Sequence, residues 1–114
     1  MNALGLIEVP SVTASVGCLD AMCKTADVRF VTWERKLGGR LVTIIVEGDV
    51  SAVTAAVERA KQAALIPVCA SAVIARPHEE TVKMVELSRG RMKRQLEAKK
   101  RQAQQKKAVK ADGR

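Results

Sequence analysis

The chain has 114 residues, 47% of them hydrophobic and only 2% aromatic, with a formal net charge of +8, a length that holds one domain but not two ordinary ones. Cys18, Cys23 and Cys69 are an odd number without metal-ligand spacing, and His78 is the single histidine, so free thiols in a reducing cytosol are expected and a metal centre is not. No apolar run reaches the length of a membrane span, and no basic flank precedes an apolar core at the N-terminus, so neither a membrane protein nor a signal peptide is expected.

Residues 3–9, Ala-Leu-Gly-Leu-Ile-Glu-Val, read as a buried strand ahead of Pro10. Ser11 is the expected N-cap of a helix running to about Thr25. Val12, Val16, Leu19 and Cys23, at i, i+4, i+7 and i+11, mark its expected buried face. Residues 28–36 set Val28, Phe30 and either Val31 or Trp33 against Arg29, Thr32 and Glu34, the alternation of a strand. Gly38-Gly39 supplies the positive φ angles of a tight turn into the β-branched run Leu41–Val46. Asp49 is the expected cap of a second helix, Val50 to about Leu65, with Val50, Val53, Val57, Ala60 and Ala64 on one side. Its alanines allow close approach to a neighbour. Pro67 ends it, Val68 to Ala75 forms a last strand, and Arg76-Pro77 closes the body. The order β-α-β-β-α-β is an α/β (α+β) split βαβ, ferredoxin-like sandwich with two helices on one sheet face. That topology alone fixes no function.

The charge is unevenly placed. Residues 1–87 carry nine Lys/Arg and ten Asp/Glu, whereas residues 88–114 carry eleven Lys/Arg against Glu97 and Asp112. A nearly neutral domain (1–87) is therefore expected to bear a basic extension (88–114), whose cations include Arg89, Arg91, Lys93, Arg94, Lys99, Lys100, Arg101, Lys106 and Lys107. From Arg91 to Lys110 the residues are good helix formers without proline but with little apolar content. A solvent-facing or frayed helix, melting into disorder toward Arg114, follows.

Five segments stand in a fixed order: Asn2-Ala3-Leu4-Gly5-Leu6-Ile7-Glu8-Val9, then Leu19-Asp20-Ala21-Met22-Cys23-Lys24-Thr25-Ala26-Asp27-Val28, Lys36-Leu37-Gly38-Gly39-Arg40, Gly48-Asp49-Val50, and Ile74-Ala75-Arg76-Pro77-His78. In that order and spacing they resemble the BMC-domain shell proteins of bacterial microcompartments, over about residues 3–78. The resemblance implies a homohexameric tile in a cytoplasmic microcompartment, with a central pore lined by Lys36, Leu37, Gly38, Gly39 and Arg40. It also implies tile-edge contacts at Lys24, Arg76, Pro77 and His78. Arg40 stands where that family commonly has a glycine. Six guanidiniums at a narrow opening favour anions. An Arg40 turned toward a carboxylate leaves backbone amides at the rim, and a non-glycine there can also reshape or close the opening. These arrangements stay open. Pro10, Ala75, a turn about one residue shorter near Leu65–Val68, and the long basic extension depart from the major tiles and suit a minor shell subunit.

Three functions compete. The leading one is the tile, with small polar or anionic metabolites passing its pore and other shell proteins as neighbours. The second makes the extension functional, binding enzyme cargo or, without sequence specificity, nucleic acid on a subunit that need not form hexamers by itself. The third is a small-molecule enzyme or regulator. It lacks support, because no phosphate-cradling loop or paired catalytic carboxylates occur and nothing with recognisable spacing would make His78 a base. No catalytic residue, cofactor or metal ligand is therefore assigned.

Overall fold

The computed structural model describes residues 2–35 and 40–111. Over them the chain runs β1 (Ala3–Val9), α1 (Val12–Thr25), β2 (Arg29–Glu34), β3 (Val42–Gly48), α2 (Val50–Ala63), β4 (Ala70–Ile74) and α3 (Glu79–Ala111). The strands form one antiparallel sheet in the order β2-β3-β1-β4. This is the expected split βαβ arrangement with a third helix added.

Strand alternation divides the core between the two sheet faces. Ala3, Ile7 and Val9 of β1 join Val42, Ile44 and Val46 of β3 beneath α1 and α2. Leu4 and Ile45 point the other way, where Val31 and Val85 of α3 complete a smaller cluster. At Gly5 the backbone of β1 lies so close to α2 that a Cβ would sit 2.7 Å from Val53 Cγ1.

Ser11 caps α1 as expected, its Oγ accepting from the Ala14 N–H at 3.1 Å. The buried face of that helix is different from the valine pattern. Ala14, Ser15, Cys18 and Met22 are buried, whereas Val12 and Val16 are 43% and 52% exposed and Cys23 is exposed. The reason is the neighbour: α2 already fills the contact with Val53 and Val57 beside Ala56 and Ala60, so α1 turns small Ala14, Ser15 and Cys18 toward the core in place of Val12 and Val16. Ser15 is accommodated because its Oγ donates to the Val12 carbonyl at 2.7 Å.

Other expectations shift as well. Val50 is exposed, and Asp49, though next to α2, makes no side-chain capping bond. A register shift in β2 between Phe30 and Thr32 breaks its alternation, leaving Phe30 exposed while Val31 and Thr32 are both buried. β4 starts at Ala70 rather than Val68, and residues 70–73 are exposed on this edge strand. Arg76-Pro77 does not close the body. α3 starts at Glu79 and passes residue 88 unbroken, with Val85 and Ser88 buried. The expected disorder toward Arg114 concerns residues 112–114, outside the described ones.

Cys18 sits between α1 and α2 with its Sγ 3.7 Å from the Ala60 carbonyl, and burial pushes its thiol pKa up. Native-state alkylation followed by mass spectrometry should therefore modify exposed Cys23 and Cys69 and spare Cys18 until denaturant is added. Modification of all three thiols at one rate would show that the α1–α2 contact opens freely.

Candidate functional site

Strand direction decides where the expected site residues lie. The registers Ala3↔Gly48, Leu4↔Ile74 and Arg29↔Glu47 define one end of the sheet. Val9↔Val42, Glu8↔Ala70 and Glu34↔Thr43 define the other. α1 leaves β1 at the second end and returns toward the first, where its last turn carries Lys24. Arg76, Pro77 and His78 follow β4 at that same first end. β2 ends at Glu34 and β3 begins at Val42 at the second end. The edge candidates and Arg40, which adjoins the start of β3, thus stand at opposite ends of strands ~20 Å long.

At the first end, Lys24 Nζ lies 2.8 Å from Asp20 Oδ2, one turn back on α1. The hydrogen bond that Lys24 donates to Asp20, then the carboxylate's charge, raises the lysine pKa. Arg76 is exposed and Pro77 half-buried. His78 starts α3: its Nδ1 accepts from the Glu80 N–H at 3.1 Å, and its carbonyl accepts from the Val82 N–H at 3.0 Å. No hydrogen bond or ion pair among the described residues joins Lys24 to Arg76.

At the second end, Lys36, Leu37, Gly38 and Gly39 lie outside the described residues. Arg40 is exposed and borders a cleft of about 650 Å³ with Trp33, Glu34, Arg35 and Arg91. The Arg35 guanidinium stacks 4.7 Å from the Trp33 ring centroid. Arg40 makes no ion pair with a described residue. The arrangement can attract small anions. It offers no nucleophile–base pair, and no metal-binding group of three or more His, Cys, Asp or Glu occurs among the described residues.

A polar latch that sequence reading misses crosses from β2 to α3. Ser88 Oγ donates to Glu34 Oε1 at 2.6 Å, and Arg91 Nη2 donates to the same oxygen at 3.1 Å. Having given its one proton to Glu34, Ser88 accepts from Thr32 Oγ1 at 3.0 Å. The partners are more than fifty residues apart, so no spacing rule connects them. The bulge that turns Thr32 inward shows in the sequence only as the undecided choice between Val31 and Trp33.

The basic residues of the extension divide accordingly. Arg91 belongs to the latch, and Arg89 pairs with Glu86 at 3.4 Å. Lys93, Arg94, Lys99, Lys100, Arg101, Lys106 and Lys107 are exposed and make no ion pair with a described residue. No described helix is long and apolar enough to cross a membrane.

The BMC-domain profile matches residues 3–77. Over 86 residues the chain is 45% identical to the bacterial microcompartment shell protein PduA of Citrobacter freundii, covering 74% of this chain and 91% of that one. It is 46% identical over 81 residues to the carboxysome shell protein CcmK2 of Synechococcus elongatus, covering 68% and 78%. With the microcompartment shell protein EutK of Salmonella typhimurium it shares 42% over 83 residues, 71% of this chain but 50% of that protein. Among solved structures, a microcompartment protein from Desulfitobacterium hafniense superposes with a TM-score of 0.67 at 26% identity. That match covers 77% of this chain, which spans about half (48%) of the other.

Proposed function

This chain belongs to the BMC-domain family, and from that membership we propose that its copies close into a six-membered ring that tiles the shell of a bacterial microcompartment. It is a structural shell protein rather than an enzyme. The observation that supports the ring is the separation of Arg40 from Lys24, Arg76, Pro77 and His78 to opposite sheet ends. A tile needs one end of each subunit at its centre and the other at its perimeter. With the glycine segment at the centre, Lys24, Arg76, Pro77 and His78 come to the rim, where an arginine can span to a neighbour's carbonyls. The surface of one chain supports burial by neighbours. Leu65 is 77% exposed, Ile66 and Val73 are also exposed, and among the described residues no strand pairs with the outer edge of β4.

In such a ring the segment Lys36–Arg40 lines the opening, and the Arg35 and Arg40 guanidiniums favour small anionic or polar metabolites. Other shell proteins are the neighbours across the rim. Light scattering after size exclusion should give about six times the 12.3 kDa chain mass. Lys24→Ala combined with Arg76→Ala should keep that mass and lose the extended sheets seen by electron microscopy. A chain that stays monomeric at high concentration and joins no mixed shell would overturn the reading.

A further inference from the structure

Beyond Met92, α3 leaves the sheet. Every described residue from 93 to 111 is exposed, and this arm carries eight Lys/Arg against Glu97 alone. At 1.5 Å per residue it is ~28 Å long. At 100° per residue its cations occupy roughly two-thirds of the circumference. The remaining third is Gln95, Ala98, Gln102, Gln105 and Val109. Such a helix is poorly supported by itself: every described residue of it is exposed, and Lys110 falls one turn from both Lys106 and Lys107.

Three kinds of polyanion suit so much positive charge, and the wheel discriminates among them. A helix lying on a bilayer needs an apolar face to bury, and the uncharged stripe offers mainly glutamines. An acidic protein groove takes apolar anchors at i, i+3 or i+4 and i+7, which the same stripe lacks. A phosphate backbone needs only cations spread around the helix, and glutamine amides are further donors to it. The major groove, ~12 Å wide, admits one helix. Single strands are held largely by aromatic stacking, and the arm has no aromatic residue.

We propose that residues 93–111 of α3 dock on the phosphate backbone of double-stranded nucleic acid without sequence preference. The latch defines where the binding surface starts, because Arg91 is committed to Glu34 and Lys93 is the first cation after it without an ion pair to a described residue. The proposal rests on the arm and not on the ring.

The test is fluorescence anisotropy of the full chain with a labelled duplex of about 30 base pairs across a salt series. Poly-glutamate, a single strand and phosphatidylserine vesicles serve as comparison anions. Binding should weaken steeply with salt and be unchanged by duplex sequence. A variant carrying Lys99→Gln, Lys100→Gln, Arg101→Gln, Lys106→Gln and Lys107→Gln keeps helix propensity. It should flatten the log–log salt slope by roughly 4 and bind at least tenfold more weakly at about 50 mM salt. The proposal fails if the duplex is not bound at that salt, or if the variant binds equally well. It also fails if poly-glutamate, the single strand or the vesicles are held more tightly than the duplex at equal charge. Light scattering on the same samples reports ring formation separately, so failure of the arm and failure of the tile are distinct results.

Discussion

Val85→Asp is expected to cost about 3–5 kcal/mol, the range for leaving one charge buried without a partner. Val85 is 4% exposed and closes the cluster of Leu4, Val31 and Ile45, with Leu6 and Ile74 at its margin. A carboxylate there would enter a cluster built of aliphatic side chains. The matching control is Leu87→Asp, two residues on but 67% exposed, which should stay within about 0.5 kcal/mol of the parent. Urea unfolding followed by circular dichroism separates the two. Equal midpoints would mean that α3 is an appendage from its first turn rather than the cover of the second sheet face.

Gly5→Ala is expected to destabilise by about 1–3 kcal/mol, the usual result of overpacking a full core. The new Cβ would meet Val53 Cγ1 at 2.7 Å, Val57 Cγ2 at 3.1 Å and Val46 Cγ2 at 3.2 Å. All three belong to short side chains buried in the same core, so relief requires moving α2 away from β1. Gly17→Ala is the opposite case: its Cβ would meet nothing within 4 Å. Mid-helix on α1, that change should stabilise by about 0.5–1 kcal/mol through helix propensity. Thermal melts of both variants decide the matter. Loss of stability at both positions would show that α1 is held by contacts a single chain does not display.

Much of the architecture is legible because its signals are local. Ser11, Pro67 and the β-branched run of β3 mark their elements through capping, ring geometry and strand preference. Helix faces are less legible. Val12 and Val16 satisfy helical periodicity, but whether a valine or an alanine turns inward on α1 depends on how closely α2 approaches, and that is a property of the pair. The start of α3 is hidden for a similar reason: Arg76-Pro77 looks like a terminator until His78 caps a new helix. The two ends of the candidate tile follow from strand order once the sheet is known. The Thr32–Ser88–Glu34 chain does not, because it depends on a bulge and on contacts between distant segments.

The course of the chain also settles where cargo can be attached by design. Asn2 borders the surface formed by Asp27, Arg29, Glu47 and Gly48, at the sheet end that bears Lys24 and Arg76. α3 climbs the opposite way, and Gln95 already shares a cleft with Arg40. A reporter grafted at Asn2 and one grafted after Ala111 would therefore mark opposite poles of the subunit, and a dye pair placed there would read out its polarity within any assembly.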